Sequence, residues 1–189
     1  MKKSITKDEI NLLPLYEFRG KIDLIDKPEQ VSKAISQLKD AKVLGFDTET
    51  RPSFQKNEVY QTCLLQLATH DYAALFRLNM VGFPKELRSI LENPEIHKVG
   101  VGIRDDLVGL KKIQDFNPQG FVDFAEIAKR KGVESLGLRG LAALALEKRL
   151  SKAAKVTNWE RHQLSEAQIL YAACDAVSGL EIYEKLLAL

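Results

Sequence analysis

This 189-residue chain has few cysteines, a single tryptophan and no long apolar run. Cys63 and Cys174 stand far apart in apolar surroundings. They make neither a disulfide framework nor a zinc-ligand spacing, and buried reduced thiols are expected. No stretch approaches the roughly 20 continuous apolar residues that span a bilayer. The opening Met1-Lys2-Lys3-Ser4-Ile5-Thr6-Lys7-Asp8-Glu9 carries charges where a secretory signal needs its apolar segment. A soluble, cytoplasmic protein is the expectation. Internal repeats, low-complexity tracts and Ser/Gly-rich linkers are missing too. With 45% hydrophobic residues, whole-chain disorder is excluded and one domain of ordinary size is expected. Residues 1–18 read as an N-terminal arm, either packed on the body or loose, and residues 19–189 as a single domain.

Charge of one sign is also lacking overall: the net charge is +2. Its distribution is uneven. Nine bases and three acids lie between Lys129 and Arg161, a local +6 that leaves −4 for the rest. A basic segment on a mildly acidic body suits a polyanion; a solvated helical face fits the same pattern.

Lys21–Ile25, Lys42–Thr48, Gln61–Thr69, Tyr72–Arg77 and Lys98–Gly102 read as strands. Between them, Pro28 opens a helix with Val31, Ala34, Ile35 and Leu38 at helical spacing. Phe83–Glu92 and Arg104–Ile113 are also helical. Beyond Asp123 only helix signals remain, over Phe124–Lys131, Leu138–Leu146 and Ser165–Leu187, the last opened by a Ser165/Gln168 capping box. Strands with interleaved helices followed by a helical C-terminal part predict an α/β fold with a mixed sheet flanked by helices.

Three acidic elements carry the chemistry. In Asp47-Thr48-Glu49 the alternation of strand side chains sends both acids off one face at the strand's end. Two acids after the apolar run Val43-Leu44-Gly45-Phe46 are costly unless something cationic compensates, and a divalent metal ion is a candidate; a surface acidic pair is the alternative. In Tyr171-Ala172-Ala173-Cys174-Asp175 the tyrosine and aspartate stack one helical turn apart. Asp175 sits mid-helix among small apolar residues, with no basic neighbour in sequence; pairing with a distant Arg or Lys is the alternative. The third element is Gly100-Val101-Gly102-Ile103-Arg104-Asp105-Asp106. Its G-x-G suggests a dinucleotide site, but Asp105 stands where the third glycine belongs, so that fingerprint fails. Asp105 and Asp106 are then either dipole-stabilising residues of a first helical turn or one of them is a ligand.

Taken in this order, Phe46-Asp47-Thr48-Glu49-Thr50, Val99–Ile103 running into Asp106 with Leu110 beyond, and Tyr171–Asp175 resemble the DEDD superfamily of 3′–5′ exonucleases. The matching branch is the tyrosine-containing one, DEDDy, because Leu170 occupies the position of the sister branch's histidine. Asn158-Trp159 is similar to the family as well. The resemblance spans about residues 20–187 and is greatest to the Werner-syndrome-helicase exonuclease domain and, more distantly, ribonuclease D.

The resemblance implies a ribonuclease H-like fold and hydrolysis of phosphodiester bonds from the 3′ end of DNA or RNA, releasing nucleoside monophosphates. It implies that Asp47, Glu49, Asp106 and Asp175 ligate two Mg²⁺ or Mn²⁺ ions, which suit hard oxygen ligands. Two such ions roughly 4 Å apart stabilise both the attacking and leaving oxygens. Tyr171 would orient the attacking water, since its ordinary pKa near 10 makes it a poor base at neutral pH. The implied partner is a nucleic acid with a free 3′ end. Thr50, Arg51 and Phe54 are candidates for the terminal nucleotide, and Lys152, Lys155 and Arg161 for phosphates. Trp159 and Gln66 read as core, the latter as a satisfied amide; His70, His97 and His162 show no ligand spacing. A non-catalytic nucleic-acid-binding domain of the same fold is the alternative, which the presence of all four acids and the tyrosine disfavours.

Overall fold

The computed structural model describes residues 2–55 and 58–189; Met1, Lys56 and Asn57 lie outside it. A short helix α1 (Lys7–Leu12) precedes strand β1 (Lys21–Ile25) and helix α2 (Pro28–Leu38). Three consecutive strands follow: β2 (Val43–Thr50), β3 (Thr62–Ala68) and β4 (Tyr72–Arg77). After helices α3 (Leu78–Val81) and α4 (Lys85–Leu91), the units β5 (His97–Gly100) with α5 (Ile103–Ile113) and β6 (Phe121–Asp123) with α6 (Phe124–Arg130) each pair a strand with a helix. Helices α7 (Leu138–Leu146) and α8 (Glu166–Leu187) complete the chain.

The strands form one mixed sheet in the order β1-β4-β3-β2-β5-β6. The β2–β3 and β3–β4 pairs are antiparallel, as their short connections allow, and the β1–β4, β2–β5 and β5–β6 pairs are parallel. Both faces are covered. Phe46, Leu65, Leu67 and Phe76 pack on α2, α4 and α5. On the other face Leu64, Ala68 and Leu75 meet the first half of α8, while Val99 and the second half of α8 pack with α6 and α7. Cover on both sides leaves every residue of β3 and β4 buried, and explains why both are largely apolar rather than alternating.

Two features seat α8 over β2. Gly45 lies so close to the helix backbone that an added Cβ would collide with the Ala176 carbonyl oxygen. The helix start is closed by the capping box predicted from sequence, with Ser165 Oγ accepting from the Gln168 N–H and the Gln168 side chain accepting from the Ser165 N–H.

Some elements differ from the sequence reading. The strand carrying Asp47 and Glu49 runs on to Thr50, so both acids stand within it rather than past its end. Helices α1 and α3 and the three-residue strand β6 carry too little periodicity to be read. The N-terminal arm lies on the body: Glu134 N–H donates to the Lys3 carbonyl, Leu15 bridges Arg149, and Tyr16 Oη donates to Glu181. Gln66 is fully buried, but neither its Oε1 nor its Nε2 has a partner among the described residues. The expectation of a satisfied amide is therefore corrected: both neighbouring strands spend their polar groups on the backbone ladder.

The contact at Gly45 leads to a prediction. Gly45→Ala must push α8 off β2, and such overpacking costs about 1–3 kcal/mol. Urea unfolding should show that loss; a wild-type midpoint would show that the helix seats without the glycine.

Candidate active site

Alternation along β2 puts Asp47 and Glu49 on the face that Gly45 turns to α8. The same helix carries buried Asp175, with Tyr171 one turn before it. Carboxylate oxygens of Asp47, Glu49 and Asp175 all lie within 4.8 Å of one another. They share a cavity of about 380 Å³ with Tyr171, Arg139 and Lys155. Two elements far apart in sequence thus bring three negative groups to one place.

Electrostatics there are strained. Burial, and then the charges of Asp175 and Asp106, hold the Asp47 carboxyl well above the usual carboxylate range, although the Thr48 N–H donates to its Oδ1 at 2.9 Å. Burial, then Asp47, raises Glu49 to about 9. Burial takes Asp175 to about 7, against the opposing pull of Tyr171, Lys155 and Arg139. Burial, then the charges of Asp175 and Glu49, raises the Tyr171 hydroxyl, so it keeps its proton and can donate a hydrogen bond. Hydrogen bonds and cations offset part of the mutual repulsion and leave the rest.

Asp106 stands apart from this trio. It lies in the first turn of α5, and the Thr48 hydroxyl donates to its Oδ1. Thr48 leaves β2 on the face opposite Asp47. Even so, Asp106 is near enough to raise both Asp47 and Glu49. Its neighbour Asp105 is exposed and, with Thr50, borders a separate cavity of about 410 Å³. The reading of four converging acids therefore becomes three gathered and one adjacent.

Of the residues expected to touch nucleic acid, Lys155 alone lines the cavity with the trio. Lys152 and Arg161 are exposed outside it. Arg51 is engaged with Glu160 at 3.4 Å and stacks on Tyr60 with its guanidinium 4.4 Å from the ring centre. Phe54 is 80% exposed. Trp159 is fully buried beside Tyr171, at 6.0 Å between rings, as a core residue. His97 and His162 are exposed, and His70 faces Glu184 at 3.0 Å.

The 151–164 segment that carries Lys155 is tied down from below. Gln168 Nε2 donates to Thr157 Oγ1 at 2.9 Å and to the Asn158 carbonyl at 3.3 Å. Buried Arg77, at the end of β4, donates to the carbonyls of Arg161 at 2.6 Å and His162 at 3.3 Å. Sequence reasoning missed Arg139 and Ser151, which also line the cavity. A signal for Arg139 existed: it is the one charged residue of the otherwise apolar α7.

Comparison with known proteins places this arrangement. Residues 22–189 match the family described as 3′–5′ exonuclease. The bifunctional 3′–5′ exonuclease/ATP-dependent helicase WRN of Mus musculus is 35% identical over 199 residues; the match takes in 98% of this chain and 14% of that protein. Among solved structures, the Nibbler EXO domain of Aedes aegypti superposes with a TM-score of 0.81 at 21% identity, covering 92% of this chain and 91% of that one. RNase D of Trypanosoma brucei in complex with RNA U12 gives 0.79 at 19% identity, covering 91% and 64%. The mixed sheet with helices on both faces is thus the ribonuclease H-like fold. On the family match over most of its length, the chain belongs to the 3′–5′ exonuclease family.

Proposed function

We propose that this chain is a metal-dependent hydrolase of the DEDDy branch that removes nucleoside monophosphates from the 3′ end of a nucleic acid. The observation that carries this reading is the trio Asp47, Glu49 and Asp175, with oxygens within 4.8 Å and carboxyls displaced upward. A set of hard oxygen donors that repel one another suits Mg²⁺ or Mn²⁺. The trio would hold one ion. Asp47 together with Asp106, once it turns from Thr48, would hold a second. The chemistry such ions supply is stabilisation of negative charge on the attacking and departing oxygens of an in-line displacement.

The chain's own groups do the rest. Tyr171, protonated, donates a hydrogen bond that orients the attacking water; it does not take the proton at neutral pH. Lys155, which lowers both Glu49 and Asp175, offers a positive charge to the phosphate. Water adds to phosphorus and releases a proton to solvent, the bond to the 3′ oxygen breaks, and that oxygen takes a proton from solvent. Exposed Lys152 and Arg161 extend the positive charge outside the cavity for the rest of the strand. The RNA bound by the Trypanosoma brucei RNase D supports a nucleic-acid substrate.

With Mg²⁺ or Mn²⁺, the protein should shorten a 5′-labelled oligonucleotide stepwise, and EDTA should stop it. Intact DNA and RNA strands under every metal would leave the non-catalytic binding domain instead. Asp47→Asn and Asp175→Asn should each lower turnover more than about 100-fold, beyond the usual cost of losing a partner that merely supports a metal ligand. Wild-type rates in a folded variant would reject that residue's role. Lys152→Ala should weaken binding and reduce the salt slope by about 0.7–0.9, the share of one phosphate contact; an unchanged slope would move the strand's path.

A pH dependence follows as well. Glu49, ordinarily at 4.5, is raised to about 9, and Asp175, ordinarily at 3.8, to about 7. The folded state therefore holds protons that the unfolded state has lost, and metal-free stability falls as pH rises from about 4 to 9. Saturating Mg²⁺ should cancel the fall, so the Tm gain from metal should grow with pH. Glu49→Gln in EDTA should flatten the slope; a slope like that of the wild type would show that the charges are not in conflict.

A further inference from the structure

The cavity that holds the acids has a second set of polar groups, supplied by α7 and the turn after it. Arg139, Ser151 and Lys155 all line it. Ser151 Oγ accepts from the Ala153 N–H at 3.1 Å, which leaves its own O–H free to donate. Arg139 donates through Nε to the Leu150 carbonyl at 3.4 Å. That bond holds the stem and leaves both Nη groups, four N–H donors, without a protein acceptor among the described residues. No carboxylate of the described residues lies within ion-pair distance of Arg139. This half-buried guanidinium shares the cavity of three carboxylates and is paired with none of them.

Its charge reaches Asp175, whose pKa it helps to lower, whereas Lys155 acts on both Asp175 and Glu49. Both cations line the cavity, Lys155 from the segment after α7 and Arg139 from the first turn of α7. With two divalent ions balancing the acids, these two cations become the uncompensated charges of the cavity. One wall is then donor-only, and its planar fork matches the non-bridging oxygens of a phosphodiester.

We propose that Arg139 is a positioning residue that grips the phosphate one linkage inward from the bond being cut. The proposal rests on the hydrolytic reading of the same site. It adds a second anchor for the strand: the scissile phosphate belongs to the ions and Lys155, and the next phosphate to Arg139. A strand held at two successive phosphates presents its last linkage in one register, which is how a cavity without base-specific contacts releases one nucleotide at a time. The group acts on bound substrate before and during the reaction alike, so its loss falls on KM more than on kcat.

The test uses the full chain in Mg²⁺ and a fluorescent oligonucleotide, in DNA and RNA forms. Its last linkage is a bridging methylene phosphonate, which keeps the charge and resists hydrolysis. Arg139→Ala should raise Kd about tenfold and reduce the salt slope by about 0.7, the share of one single-strand contact. Arg139→Lys should recover the slope but only part of the affinity, since the charge returns without the fork. On cleavable strands, the Arg139→Ala loss should appear mainly in KM. A neutral methylphosphonate at the second linkage should weaken the wild type and leave Arg139→Ala unchanged. Equal Kd and slope in wild type and Arg139→Ala would overturn the proposal, as would equal penalties from the neutral linkage in both. Strands bound in an Arg139-dependent way but never cut would sink the hydrolytic reading and spare the contact. Strands cut normally with no Arg139 dependence would do the reverse.

Discussion

Mutual repulsion of carboxylates in a half-closed space is the interaction on which the rest depends. Asp47 and Glu49 arrive from β2 and Asp175 from α8, and their oxygens meet within 4.8 Å. Left to itself, such a group would drive the helix from the strand or protonate. The fold holds it by packing. Gly45, two residues before Asp47, removes the Cβ that would keep Ala176 at a distance, and Ala172, Ala173 and Ala176 let the helix sit against the sheet. The apolar contacts around the site thus do mechanical work against the site's own electrostatics, as expected where local rules yield to function.

The same contest explains the segment between α7 and α8. It carries Ser151 and Lys155 to the cavity but has no regular structure to place them. Its placement comes from below, through Trp159 in the core, Gln168 against Thr157 and Asn158, and Arg77 against the carbonyls of Arg161 and His162. The backbone that follows Lys155 is therefore anchored at Thr157, Asn158, Arg161 and His162.

How much of this could be read from residues alone varies with the range of the interaction involved. Asp47 with Glu49, and Tyr171 with Asp175, follow from strand and helix periodicity, because both pairs are local. The resemblance then joined the two pairs, and the coordinates bring them into one cavity. Asp106 was harder, since a first-turn acid beside Asp105 has a capping explanation, and in the structure it faces the Thr48 hydroxyl. Arg139 was hidden for another reason. It is the one charged residue of α7, but that alone does not say that its side of the helix borders the acids on β2 and α8. Thr50 and Phe54 lie next to the first motif in sequence, yet Thr50 faces another cavity and Phe54 the solvent. Short strands such as Phe121–Asp123 escape because three residues carry no period.

The buried charges elsewhere in the protein sharpen the contrast. Lys98 is fully buried, and burial lowers it to about 8, yet its Nζ donates to the carbonyls of Ile90 at 3.0 Å, Asn93 at 2.7 Å and Ile96 at 2.6 Å. Three acceptors near the C-terminal end of α4, where the helix dipole is negative, stand in for water. Arg77 is met by backbone oxygens at both Nη groups, while its Nε has no partner among the described residues. Where a charge is there to hold the fold, the backbone supplies its counterpart. Asp47 receives one backbone N–H, and its acidic neighbours work against it. The same chain that surrounds a structural lysine with three carbonyls leaves its clustered acids short of donors. On the proposed reading, cations and a phosphate chain would supply the partners that the polypeptide does not.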